Sequence, residues 1–154
     1  MALHLSKSEM QKEALKELIE VAEYCINFDK SSDPRWNGYT GCYGYPSALI
    51  LLSIVDNIGS IIKGGGNDTK THFQILNDPS YYNLSLSNDQ VETLRNGYRN
   101  KLTHNSYMEI GIGLRIGFGE LEILSQREDG KYWLNLSPLL NISKKVVKKI
   151  IEET

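Results

Sequence analysis

Residues 46–66 read PSALILLSIVDNIGSIIKGGG. Leu49, Ile50, Leu51, Leu52, Ile54, Val55, Ile58, Ile61 and Ile62 cover nearly the whole circumference of a helix that turns about 100° per residue. Pro46 fits the first turn, where its missing N–H costs nothing. Gly64, Gly65 and Gly66 stop the helix after Lys63. A helix apolar all round belongs in the centre of a bundle or at a subunit interface. The stretch is short for a bilayer span and contains Asp56 and Asn57, so it reads as a buried core helix. Asp56 is the exception on it, and a buried carboxylate needs a partner.

Upstream, Ser8 to Ile26 reads as an amphipathic helix. Leu15, Leu18, Ile19, Ala22, Cys25 and Ile26 share one face, and Glu and Lys fill the other. Between the two helices lies a loop, Asn27 to Tyr45, with turn formers at Asp33-Pro34, Asn37-Gly38, Gly41 and Gly44. It also carries Trp36, Tyr39, Tyr43 and Tyr45, and a loop this aromatic is expected to pack rather than float in water.

Downstream, Thr69 to Leu76 reads as a short helix ended by Asp78-Pro79. Ser87 and Gln90 fit a capping box, with Asp89 favourable in the first turn. Val91, Leu94, Tyr98 and Leu102 form the seam of the helix that follows, which should end near His104 or Asn105. Partial alternation over Glu109 to Phe118 comes next. Leu121–Ser125 and Tyr132–Leu136 then read as strands flanking Glu128-Asp129-Gly130, a hairpin signal. A last helix, capped by Ser137 or Asn141, runs through Ile151.

The expected fold is a mainly α single domain over residues 1–154. Residues 8–105 form the helical core, and residues 106–154 form a small C-terminal β-hairpin plus the last helix. A chain of 154 residues can bury a core without staples. Hydrophobic residues at 40% and charged residues at 23% are an ordinary globular balance. The net charge of −2 argues against a strongly basic nucleic-acid coat, though not against a local basic site. Cys25 and Cys42 belong to no CxxC pair, so no zinc site is expected. Cys25 reads as a small core hydrophobe, and a Cys25–Cys42 disulfide stays open. Met1 to Met10 has no signal-peptide pattern, so the expected location is cytoplasmic, with no membrane contact.

Chemistry concentrates in Arg95-Asn96-Gly97-Tyr98-Arg99-Asn100-Lys101-Leu102-Thr103-His104-Asn105. Asn96, Asn100 and His104 are four apart and form one polar stripe, and Arg95 and Arg99 form a second beside the apolar seam. The helix thus offers a cation, an amide and an imidazole away from the core. Arginine's planar fork matches phosphate oxygens, and histidine moves protons near neutral pH. RNA supplies its own nucleophile in the 2′-hydroxyl, so cleavage needs only proton transfer and a cation at the crowded phosphorus. No carboxylate cluster stands at metal spacing. Arg99 and His104 are five apart, about 140° around an ideal helix. Arginine's length, a frayed last turn or a second copy of the chain could close that gap.

Arg99-Asn100-Lys101-Leu102-Thr103-His104 reads RNxxxH. It resembles the Rx4-6H motif of HEPN domains, helical nucleotide-binding or ribonuclease domains of prokaryotic toxins, defence proteins and RNA-processing proteins. The apolar, Asp56-bearing helix is similar to that family's earlier long helix, and the resemblance covers roughly residues 8–105. It implies a HEPN-like antiparallel bundle of four to five helices. It also implies a homodimeric, metal-independent endoribonuclease without cofactor that leaves 2′,3′-cyclic phosphate and 5′-hydroxyl ends. His104 would transfer the proton and Arg99 would hold the phosphate. Asn100 would orient phosphate or imidazole, and Asp56 would orient Arg99 or His104. Asn96 and Arg95 would support them. RNA is then the expected substrate, and an antitoxin protein is a candidate partner.

Each feature also has a plainer reading. His104 near a helix C-terminus favours the dipole, and Arg99 is a good helix former. Many HEPN domains bind without cutting, so a non-catalytic module for dimerisation or for nucleotide or protein binding is the alternative. Gly97 costs a helix about 1 kcal/mol relative to Ala. It is either tolerated or permits close helix approach, for instance across a dimer. Lys144, Lys145, Lys148 and Lys149 read first as a solvated face and second as an RNA attractant. Trp36 and the loop tyrosines read first as packing and second as base-stacking groups. His4 and His72 have no partner visible in sequence.

Overall fold

The structure is a computed structural model that describes residue 3, residues 6–105 and residues 107–153; His4 lies outside the described residues. The first helix, α1 (Lys7–Asn27), starts at Ser6, whose hydroxyl accepts the N–H of Glu9. It buries Leu15, Ala22, Cys25 and Ile26, the face that its three-and-four spacing marks out. Helix α2 (Gly44–Lys63) begins two residues before Pro46 and stops at the glycine run. Gly64, Gly65 and Gly66 all have positive φ, a conformation that costs glycine little.

Helix α2 is the hub of the molecule. It packs against α1, against α3 (Thr69–His72) and its continuing 3-10 turn (Phe73–Asn77), and against the last helix, α6 (Leu136–Glu152). Ala48, Leu51, Leu52, Ile54, Val55 and Ile58 are fully buried along it. Among the described residues it is the one helix long and apolar enough to cross a membrane by length and composition. Leu49, Ile50, Ile61 and Ile62 pack against that core but stay partly exposed.

Ser87 opens the next helix through the capping box with Gln90. Sequence periodicity predicts one uniform helix from there to His104 or Asn105. The helical run is continuous but not uniform: α4 (Asn88–Glu92) passes into a π-helical segment (Thr93–Asn100) and then into α5 (Lys101–Asn105). A π segment bonds i to i+5 and is wider than an α-helix. The seam of Leu94, Tyr98 and Leu102 is buried through this change. Gly97 is where the chain folds back after α5. Its carbonyl accepts the N–H of Glu109 at 3.1 Å, and a Cβ there would meet Ile112 and Glu109. The face that Gly97 opens is therefore filled by this chain's own residues.

The C-terminal sheet is larger than a hairpin. Strands β2 (Leu124–Gln126) and β3 (Tyr132–Asn135) pair antiparallel around Glu128-Asp129-Gly130, as the turn residues indicate. A third strand, β1 (Gly113–Arg115), pairs parallel with β3 on its other side, giving the order β1-β3-β2. Parallel pairing needs a crossover and leaves no local turn signal, so the hairpin reading stopped one strand short. Neither Ser137 nor Asn141 caps α6. The residue preceding α6 is Asn135, and its side chain is used sideways. It accepts from Arg115 Nε at 2.6 Å and donates to the Glu122 carbonyl and to Ser125 Oγ, both at 2.8 Å. Tyr98 ties helix to sheet through its hydroxyl, which donates to the Gly113 carbonyl at 2.8 Å.

The aromatic loop packs on itself only in part, since Tyr39 and Tyr45 are exposed. Phe28 stacks on Tyr43 with ring centroids 4.3 Å apart, Trp36 meets Tyr43 edge-on, and Trp36 Nε1 donates to the Tyr43 hydroxyl. Cys25 and Cys42 are both buried and free, so no disulfide joins them, and burial pushes both thiols above their ordinary range.

Candidate functional site

The site is built where three elements cross. Asp56 projects from the middle of α2, one turn before Gly59. A Cβ at Gly59 would overlap the His72 backbone carbonyl, so glycine lets α3 approach α2 at contact distance. That approach brings His72 against Asp56, with Nδ1 2.7 Å from Oδ1. From the far side comes Arg99 in the π segment, whose Nη2 donates to Asp56 Oδ2 at 2.8 Å. Asp56 therefore gives one oxygen to each of two nitrogenous side chains. A carboxylate only accepts, so the His72 Nδ1 carries the hydrogen in this contact.

The three side chains differ in exposure. His72 is 4% exposed, Asp56 18% and Arg99 19%. Two nitrogens among them are buried with no hydrogen-bond partner: His72 Nε2 and Arg99 Nε. Arg99 is thus not the solvent-facing cation that helical spacing suggests. It is turned inward onto a carboxylate, because a largely buried negative charge on α2 is stabilised by a cation.

A second polar chain runs up the same helix. Arg99 Nη1 donates to Asn100 Oδ1 at 3.0 Å, Asn100 Nδ2 to Asn96 Oδ1 at 2.8 Å, and Asn96 Nδ2 to Glu92 Oε2 at 2.7 Å. The stripe of residues four apart is real, but its ordered part is Glu92-Asn96-Asn100. His104 stands exposed in α5, with no hydrogen bond among the described residues. Arg95 is not available as a second cation. It pairs with Glu92, Nη2 to Oε2 at 2.8 Å, and its Nη1 reaches Thr69 Oγ1.

The structure thus joins Asp56, Arg99, Asn100 and Asn96 into one hydrogen-bonded array and leaves His104 outside it. Because the π segment ends at Asn100, His104 sits in ordinary α-helix. Arg99, in the π segment, is turned onto Asp56, whereas His104 faces solvent from α5, so the two side chains do not meet within one chain. Sequence reasoning missed His72 altogether. The one available signal was its setting: a polar residue next to Phe73, Ile75 and Leu76, all of which are core.

Chemically, the array presents a fixed guanidinium. Arginine has five N–H donors. Asp56 and Asn100 occupy one each, so each terminal nitrogen keeps one further hydrogen, on a side chain that is 19% exposed. Of the C-terminal lysines, three are paired and Lys145 is exposed without a partner among the described residues. Lys144 meets Glu23 at 3.0 Å, Lys148 meets Glu152 at 4.0 Å and Lys149 meets Glu153 at 3.7 Å, which is a solvated helix face. Among the described residues no group of three His, Cys, Asp or Glu side chains is placed to hold a metal ion. No protein-family model matches the chain, and neither does any curated protein or solved structure.

Proposed function

We propose that this chain is a metal-independent endoribonuclease of HEPN type, in which Arg99 holds the scissile phosphate and His104 transfers the proton. The observation that carries this reading is the clamped guanidinium. Asp56 and Asn100 hold Arg99 from two sides, at 2.8 and 3.0 Å, so its remaining donors are preorganised for an anion. Preorganised donors are worth more than mobile ones, because no reorganisation is needed when charge develops on phosphorus. The RNxxxH spacing and the apolar helix that delivers Asp56 support the same family reading of the fold.

In this reaction the 2′-oxygen attacks phosphorus and the bond to the 5′-oxygen breaks. The 2′-hydroxyl gives up its proton and the 5′-oxygen takes one up, with the exposed His104 imidazole carrying the transfer. The products are a 2′,3′-cyclic phosphate and a 5′-hydroxyl. Since Arg99 and His104 diverge around one helix, a second copy of the chain supplies the facing motif, and the active unit is a homodimer. A toxin or defence component that is neutralised by an antitoxin fits this activity.

The pairing of Arg99 with Asp56 favours a second reading. A guanidinium already neutralised by a carboxylate can serve packing alone, in a non-catalytic module for dimerisation or for nucleotide or protein binding. Incubating an RNA pool in EDTA with wild type, His104→Ala and Arg99→Ala, followed by analysis of product ends, separates the two. The expected result is cyclic-phosphate ends from the wild type and none from either variant, with His104→Ala folded as the wild type because its side chain is exposed. A folded, dimeric wild type that cuts nothing establishes the second reading, and a monomer in light scattering at micromolar concentration removes the facing-motif geometry.

A further inference from the structure

His72 is the most buried side chain of the array, and the proposed chemistry gives it no task. Its position is nonetheless tightly determined. Helix α3 is started by Asp68, whose carboxylate accepts from the Lys70 N–H at 3.0 Å and from Thr71 Oγ1 at 2.7 Å. Its backbone is pressed onto α2 at Gly59. The imidazole that results donates from Nδ1 to Asp56 Oδ1 at 2.7 Å.

A carboxylate is a rigid plane. Fixing one oxygen fixes where the lone pairs of the other point. The other oxygen of Asp56 accepts Arg99 Nη2. We propose that His72 is a positioning residue: through Asp56, its Nδ1–H sets the orientation of the Arg99 guanidinium. Its value for catalysis rests on the reading of Arg99 as the phosphate-holding residue. Without the imidazole, Asp56 rotates about its own side-chain bond and one of its oxygens is left without a donor. Arg99 then follows the carboxylate instead of standing where phosphate meets it.

The test pairs His72→Phe, which removes the donor, with His72→Asn, whose amide can supply one near the same place. Each is read first by the Arg99 Nε–H resonance in nitrogen-15 NMR, identified by its absence in Arg99→Lys. Buried Nε makes that hydrogen slow to exchange in the wild type. His72→Phe and Asp56→Asn should both speed its exchange by about tenfold or more, and His72→Asn should restore protection. In RNA cleavage His72→Phe should lower kcat by up to roughly 100-fold. Combined with Asp56→Asn it should be no slower than Asp56→Asn alone, since residues acting through one contact are not additive. An unchanged Arg99 signal in folded His72→Phe, or additive losses, overturns the proposal. So does a wild-type His72 ring without hydrogen on Nδ1, a measurement that needs no variant. A wild type that cuts no RNA while His72→Phe still frees the Arg99 signal overturns the ribonuclease reading and leaves the positioning role standing.

Discussion

Asp56 answers for two neighbours at once, and its removal exposes both. In Asp56→Ala the His72 donor and the Arg99 guanidinium lose their acceptor together. Leaving a part-buried cation unpaired costs roughly 3 kcal/mol, which urea unfolding at neutral pH should show as a lower midpoint with unchanged slope. A change under about 0.5 kcal/mol, the scale of an exposed pair such as Lys148 with Glu152, would mean that the triad bears no load. At this scale the sequence is half legible. A carboxylate inside an apolar helix announces that it needs a partner, and Arg99 was a visible candidate. His72 was not, because it is 16 residues from Asp56 across a turn, where no helical or strand period applies. Asp56 meets it only because Gly59 lets two backbones touch.

Gly59 makes the corresponding element-scale prediction. Gly59→Ala puts a methyl group into the His72 carbonyl, and neither backbone can yield without moving a helix. Overpacking of this kind costs about 1–3 kcal/mol, and here it should also lift His72 from Asp56. Thermal unfolding should therefore show a lower midpoint, and the Arg99 Nε–H should exchange as fast as in Asp56→Asn. An Ala variant with wild-type stability would show that α3 is free to slide. Helices were the readable elements, since α1, α2 and α6 each bury a face of long period, and the capping box at Ser87 fixes a start. The π segment was unreadable, because its residues keep an α-like spacing of apolar side chains while the backbone changes register. Strand β1 was unreadable too. It has three residues inside the partly alternating stretch Glu109 to Phe118, and its partner β3 lies about 20 positions on, so a contact rather than the weak alternation decides its identity.

Across the whole molecule, two buried tyrosines, together with the buried Cys25 and Cys42 thiols, should weaken the fold at alkaline pH. Burial pushes the Tyr82 and Tyr98 hydroxyls well above the ordinary value of 10.0. Above pH 10 the unfolded chain releases these protons while the folded chain keeps them. The folded state then binds more protons, so stability falls as pH rises, and below pH 10 the contribution is constant. Urea unfolding between pH 8 and pH 11 should show that decline. Tyr82→Phe combined with Tyr98→Phe should make it shallower above pH 10 and leave the part due to the Cys25 and Cys42 thiols, at a neutral-pH cost of about 1 kcal/mol for each lost hydrogen bond to Ser143 and Gly113. An unchanged slope in the double variant would place the alkaline transition elsewhere.

The packing of α6 on both α1 and α2 bears on the order in which the chain assembles. Every member of the Asp56, His72 and Arg99 triad has been synthesised once translation reaches Asn100. Leu139, Leu140, Val146, Val147 and Ile150, the buried side of α6, arrive about 40 to 50 residues later. A nascent chain can therefore clamp its guanidinium while the apolar flank of α1 and α2 is still bare. Closing that flank joins α6 to α1, more than 100 residues away in sequence, and to α2, more than 70 away, the kind of contact that forms late and slowly. Until α6 is in place, the faces of α1 and α2 that it covers remain open to any other apolar surface.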